Sequence, residues 1–337
     1  LSPYDEGVFE QDFVVDRPLL WDCEHPNLYW ADTEVYYQGR LSDTYQTTFG
    51  IRTIEVVPEK GFLLNGKRLV FHGTCNHHDL GPLGTAVNMQ AIRYRLKMLK
   101  DMGSNAYRTS HNMPSPELVQ ACNEMGMLLM VETFDEWKAK KMANGYNKYY
   151  DEWVERDLVN VVRHYRNDPS VVMWCIGNEM DGPWQVGHMS PEEYAGAVDK
   201  VAHAMKLAES GLELVACGSS GAYMPTFGTW EKTVLTKAYE NLDFVSCHAY
   251  YFDRGHKTRA AASMQDFLAS SEDMTKFIAT VSDAADQARE ANNGTKDIAL
   301  SFDEWGVWYS DKWNEQEDQW KAEAAQGLHH EPWPKSP

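Results

Sequence analysis

Two glutamates stand where apolar runs give way to polar residues. Glu179 follows the run at residues 171–176, and Glu304 follows the run at 298–302. Paired carboxylates across a cleft suit glycosidic cleavage. One protonates the leaving oxygen, and the other attacks the sugar or activates water. Similar residues follow the other apolar runs. Asn76, His77, His78 and Asp79 come after the first, and Arg108, Ser110, His111 and Asn112 after the second. Glu132, Asp135 and Glu136 come after the third, and Asn178 precedes Glu179. His248, Tyr250 and Tyr251 follow the sixth, while Asp303, Trp305 and Trp308 surround Glu304. There is no Ser–His–Asp order and no HExxH helix. His77, His78 and Asp79 have ligand chemistry, but hard divalent ions prefer oxygen cages. Hydroxyl recognition or structure is the expectation for them, with no metal and no cofactor.

The elements that must position these residues read as alternating strands and helices. Strands are expected at 68–71, 105–109, 127–131, 171–176, 212–216, 244–247 and 298–302. Asn88 can cap a helix, Ser115-Pro116 opens another that Gly126 ends, and Ser190-Pro191-Glu192-Glu193 is a capping box. Trp153, Leu158, Val161 and Tyr165 share one face of a further helix, and a long one spans roughly 264–290. Near-continuous apolar strands alternating with helices mean a parallel sheet covered by helices. Seven such units predict an α/β fold of the (β/α)8 TIM-barrel type rather than an open doubly wound sheet. No GxGxxG or P-loop follows a strand. Beyond Tyr309 the chain is polar and then Pro-rich (Glu331-Pro332-Trp333-Pro334), so the eighth strand is expected to be missing. Strand C-terminal ends meet at one mouth in such barrels, which would gather the residues above.

Residues 1–56 differ, with short β segments at 13–15, 28–30, 34–37 and 53–56 and turn signals at Gln38-Gly39 and Ser42-Asp43. The expected division is a partial β-domain at 1–56 and a barrel at 57–337. A net charge of -19 argues against nucleic acid or an anionic membrane as partner. No 18-residue apolar run exists. Six cysteines without CxxC spacing suggest a reducing compartment, hence the cytoplasm. The 12 Trp supply candidate platforms for sugar rings, although most rings serve a core. A carbohydrate substrate is the expected partner, and a homo-oligomer is left open.

The segment 174–179, Trp-Cys-Ile-Gly-Asn-Glu, resembles the Asn-Glu acid/base motif of clan A glycoside hydrolases. Residues 1–179 resemble glycoside hydrolase family 2, of the β-galactosidase and β-glucuronidase group. The matching stretches are 49–53, 61–67, 75–81, 105–112 and 134–137. This implies that residues 1–56 are part of an immunoglobulin-like β-sandwich. From 175 onward the chain is similar to family 51, the α-L-arabinofuranosidases, at 177–185, 215–221, 224–228, 248–251 and 301–309. Gly306 stands where that family usually has Asn. The chain therefore reads as a mosaic joined at Gly-Asn-Glu, of natural or artificial origin.

Both resemblances imply a retaining enzyme, with Glu179 as acid/base and Glu304, rather than adjacent Asp303, as nucleophile. They further imply that Asn178 binds the sugar 2-OH and that Tyr250, or its neighbour Tyr251, hydrogen-bonds Glu304. Arg108 is expected beside Glu304, against the alternative of a structural ion pair. His111, His248 and Asp79 are expected to contact substrate, with Trp305 and Trp308 as a platform or as core. Hydrolysis of terminal β-D-galactosides leads, followed by α-L-arabinofuranosides. A catalytically inactive carbohydrate-binding barrel is the reading from another class, because a missing strand would leave an unpaired edge.

Overall fold

The computed structural model describes residues 7–57, 60–138, 144–182, 188–252, 265 and 268–308. Pro183, Trp184 and Gln185, the expected helix start near 264, the Trp308 side chain, Tyr309 and the Pro-rich end lie outside the described residues.

Strands β1 (Tyr29–Tyr37) and β2 (Arg40–Phe49) form an antiparallel hairpin. Gln38 and Gly39 turn it with φ of 49° and 75°, the left-handed pair that suits two-residue hairpins. The expected segment at 13–15 forms no strand. Strands β3 (Ile54–Val57), β4 (Gly61–Leu64) and β5 (Lys67–Arg68) make a three-stranded antiparallel sheet across the expected domain boundary. This corrects the expected first barrel strand. The Asn65-Gly66 turn folds Arg68 back opposite Leu63, and Leu69 and Phe71 are apolar because they pack beneath the barrel. The first barrel strand begins later, at Gly73.

The barrel strands are β6 (Gly73–Asn76), β7 (Ala106–Thr109), β8 (Leu128–Glu132), β9 (Val171–Ile176), β10 (Leu214–Ala216), β11 (Phe244–Phe252) and β12 (Ala299–Trp308). They lie in sequence order in one parallel sheet, a nearly closed TIM-type barrel lacking an eighth strand among the described residues. Helices α1 (Met89–Asp101), α2 (Pro116–Met125), α3 (Tyr150–Tyr165), α4 (Pro191–Ala208), α5 (Thr229–Lys237) and α6 (Ser271–Ala291) cover it. Asn88 and Ser115 cap α1 and α2 by accepting from Ala91 N and Leu118 N, and Ser190 with Glu193 forms the capping box of α4. Trp153 departs from the expected inward face of α3. It is exposed, with the Arg156 guanidinium 5.4 Å from its ring centroid.

One apolar cluster fills the space between sheet and helices. A second lies under the barrel, where Trp21, Phe62 and Leu64 meet Val172, Met173 and Phe244. Trp21 Nε1 donates to the Asn123 carbonyl at 2.8 Å, and Arg52 donates to the carbonyls of Pro169 and Val171. Gly126 ends α2 in the left-handed conformation, and a side chain there would strike the Cys23 carbonyl at 2.5 Å. The three-stranded sheet and the segments flanking the hairpin are thus fastened to the barrel floor. At the sheet edges the Cys75 thiol donates to the Asp303 carbonyl at 3.2 Å, bringing β6 up to β12. A cavity of about 680 Å³ beside that contact is lined by Phe62, Phe71 and Met173 and also by Arg108, Tyr250 and Glu304. No described helix is long and apolar enough to cross a membrane.

Candidate active site

Glu179 leaves the centre of the sheet. All six residues of β9 are buried, and β9 pairs with β8 and β10 on its two sides. Gly177 (φ 91°) and Glu179 (φ 47°) then turn the chain sharply. A left-handed conformation costs an L-residue about 1–2 kcal/mol, and strain of this kind clusters at functional sites.

Glu304 leaves an edge of the sheet. β11 and β12 continue beyond their apolar runs, and an irregularity in their pairing sets Ser246 opposite Ser301 but His248 opposite Glu304. The extra residue in β12 puts Glu304 and Asp303 in different places. Glu304 Oε2 accepts from Arg108 Nη1 at 2.8 Å, and Oε1 accepts from the Tyr250 hydroxyl at 2.7 Å. The Asp303 side chain is buried, 3.4 Å from His248 Nε2.

His248 lies between the two glutamates. Its Nδ1 is 3.3 Å from Glu179 Oε1 and 3.9 Å from Glu304 Oε2. Reaching atoms of Glu179, His248 and Glu304 all fall within 4.8 Å of one another. Burial opposes charge on His248, but Glu304, Asp303 and Glu179 outweigh it and hold the ring protonated well above the usual histidine value. A protonated ring has no lone pair for a cation, so a metal would have to displace that proton to bind this trio. Burial likewise opposes charge on Glu304. His248, Arg108 and the Tyr250 hydroxyl overcome that and bring its carboxyl down to about 2. Burial and the neighbouring Glu304 push the Tyr250 hydroxyl upward, so it remains a donor.

Arg108, buried on β7, joins the parts of the site. Its Nη2 donates to Asn178 Oδ1 at 3.1 Å and pairs with Glu132 Oε2 at 2.7 Å, while Nη1 serves Glu304. Arg108 is therefore both beside Glu304 and in a structural ion pair, the two alternatives left open by its sequence position. His111 Nδ1 lies 2.8 Å from Glu132 Oε1, and the His77 ring meets His111 edge-on at 5.3 Å between centroids. Trp305 is 64% exposed beside Glu304.

Asp79 stays outside this cluster. It is exposed, and its carbonyl accepts from Arg95. His78 is held to the Met113 carbonyl at 2.8 Å. Sequence reasoning noted Glu132 on the rim without singling it out, and did not weigh Asp181. Glu132 is fully buried between Arg108 and His111. Asp181, two residues after Glu179, accepts from Ser220 N at 3.1 Å, and burial raises its carboxyl to about 6. The signal for Glu132 was its place at the end of an apolar strand; for Asp181 it was its place in the stretch 177–185 that resembles family 51.

A TIM-type barrel with two glutamates converging at its strand ends, one of them locked in its ionised form, has the makings of a glycoside hydrolase. The family follows from the chain itself. Residues 54–252 match the model described as "Glycosyl hydrolases family 2, TIM barrel domain", and residues 2–52 match "Glycosyl hydrolases family 2". The chain belongs to this family of glycoside hydrolases. It is also 70% identical, over 258 residues, to an intracellular exo-α-(1→5)-L-arabinofuranosidase of Bifidobacterium longum, covering 77% of this chain and 44% of that protein. A match of 258 residues is longer than 175–337, so this likeness reaches upstream of Glu179. The β-galactosidase BoGH2A of Bacteroides ovatus is 48% identical over 179 residues, 53% of this chain and 21% of that protein. Among solved structures, the family 51 α-L-arabinofuranosidase AbfB of B. longum superposes with a TM-score of 0.57 at 56% identity, covering 79% of this chain and 61% of that one. A family 2 member from Bacteroides cellulosilyticus gives 0.60 at 26% identity, covering 87% and 34%. The chain spans less than half the length of both curated relatives.

Proposed function

We propose that the chain is a retaining glycoside hydrolase that removes terminal α-L-arabinofuranosyl residues by double displacement. The observation that carries the mechanism is the approach of Glu179 and Glu304, within 4.8 Å oxygen to oxygen. Retaining enzymes place their carboxyl groups about 5–5.5 Å apart, whereas inverting ones need about 6.5–9.5 Å to admit water. In this reading ionised Glu304 attacks the anomeric carbon while Glu179 protonates the departing oxygen. Glu179 then takes a proton from the water that releases the sugar. Arg108, Tyr250 and His248 hold Glu304 ionised, Asn178 faces the sugar 2-OH, and His111 and Trp305 contact the substrate. The catalytic unit corresponds to 57–337, with 1–56 as a partial β-domain. Six free cysteines and a relative named as intracellular support the cytoplasm as the working compartment.

The choice of sugar reverses the order expected from sequence, which put β-D-galactosides first. Identity of 70% to an arabinofuranosidase outweighs 48% to a β-galactosidase, and it extends over more of the chain. The galactoside reading keeps one specific support: the family 2 barrel match over residues 54–252 includes the ends of the early barrel strands. D-galactose and L-arabinose also share ring configurations. Parallel assays of 4-nitrophenyl α-L-arabinofuranoside and 4-nitrophenyl β-D-galactoside test the proposal. A kcat/KM at least about tenfold higher for the arabinofuranoside is expected, roughly 1.4 kcal/mol of transition-state preference. Preference for the galactoside would reverse the assignment, and turnover of neither would favour a binding barrel.

A further inference from the structure

We infer that Glu132 is a positioning residue for the nucleophile, dividing the charge of Arg108 between two carboxylates while holding His111 at the mouth. The inference rests on the reading of Glu304 as nucleophile. Three observations carry it. First, Glu132 is completely buried, although a lone buried carboxylate is strongly disfavoured. Second, its two oxygens face two different site residues, with Oε2 2.7 Å from Arg108 Nη2 and Oε1 2.8 Å from His111 Nδ1. Third, its backbone is fixed, because Glu132 N donates to Thr109 Oγ1 at 2.9 Å and ties β8 to β7, the strand that carries Arg108.

The same guanidinium reaches Glu304 at 2.8 Å and Asn178 at 3.1 Å. A buried cation with two carboxylate partners gives neither its full attraction. Without the Glu132 charge, Arg108 would turn its whole field on Glu304 and deepen the well of the ionised nucleophile. It would also lose the anchor that aims its fork. Both changes slow attack on the anomeric carbon, and neither removes a group that touches the sugar. The loss therefore belongs in kcat.

The test uses the full chain and the aryl glycoside that it turns over. Glu132→Gln keeps the shape and removes the charge. We expect kcat to fall at least about tenfold while KM changes less than about threefold, the pattern of an interaction expressed in the transition state. Because Glu132 acts through Arg108, adding Glu132→Gln to Arg108→Lys should cost no more than about a further twofold. A merely structural role predicts the opposite: unchanged kcat, or losses that multiply in the double variant, and either overturns the inference. If Glu132→Gln does not fold, Glu132→Asp keeps the charge on a shorter stem. Lowered kcat at constant KM then supports the inference, and unchanged kcat overturns it. Glu304→Ala separates the two levels. Full activity in Glu304→Ala removes the nucleophile reading itself, whereas an inactive Glu304→Ala beside an unimpaired Glu132→Gln removes only the role of Glu132.

Discussion

The two glutamates are held in opposite ways. Glu179 is positioned by its backbone: it ends a fully buried central strand and sits on a left-handed turn. Glu304 is positioned by other side chains. Its strand β12 pairs with β11 alone among the described residues, and Tyr250 on β11 and Arg108 on the more distant β7 grip the carboxylate. The contrast fits the proposed chemistry. A group that must gain and lose a proton needs a fixed place. A nucleophile that must stay ionised in a buried site needs donors aimed at it.

The largest effect that could break this contrast comes from removing the nucleophile. Glu304→Ala should lower kcat by at least about 10⁴-fold, and adding azide should restore turnover with formation of a glycosyl azide of inverted configuration. An azide product of retained configuration would mean that Glu304 is not the attacking group. Glu179→Asn should come next, at about 10²–10⁴-fold, the usual scale of general acid–base catalysis. Asn tolerates the left-handed conformation, so the same variant should unfold at equal or higher denaturant, by up to about 1 kcal/mol. A clear destabilisation would show that the Glu179 side chain, not the turn, holds this end of β9.

Tyr250→Phe removes one of the two close donors to Glu304 and should lower kcat by about tenfold, the worth of one hydrogen bond to a charged group. The last effect is one of pH, read in stability and not in rate. Glu304 titrates near 2 in the folded chain against an ordinary 4.5. Its ionised form therefore stabilises the fold above about 4.5, and this contribution is lost as pH falls towards 2. Urea unfolding of the native chain and Glu304→Gln at pH 6 and pH 3 should show their stability difference shrinking at the lower pH. A constant difference would mean that the side-chain grip is weaker than its distances imply.

Much of this arrangement was legible in the residues alone. Six of the seven barrel strands were marked by apolar runs, because a strand buried on both faces has nowhere to put a polar side chain. Caps at Asn88, Ser115 and Ser190 were legible because each satisfies amide groups a few residues away. The failures have physical causes too. Residues 68–71 look like a strand because Leu69 and Phe71 are apolar, but they are apolar for packing under the barrel. Trp153 matched a helical period yet faces solvent, since Tyr150, Leu158, Val161, Val162 and Tyr165 form the buried face of α3 and Arg156 lies over the ring. Asp79 shares its segment with two histidines, but Asp79 is exposed while the His77 ring meets His111. Glu132 was visible as a residue and not as a hub, because its partners Arg108 and His111 come from another strand end. The extra residue in β12 was invisible for the same reason: pairing register belongs to two strands and cannot be read from one.

If Glu179 and Glu304 work as the close carboxylate pair of a retaining glycosidase, the product keeps its anomeric configuration. Proton NMR during the first turnovers of 4-nitrophenyl α-L-arabinofuranoside reads that configuration. α-L-arabinofuranose should appear first and mutarotate afterwards. Initial release of the β anomer would contradict it, since inversion requires a water between carboxylates that stand within 4.8 Å of each other.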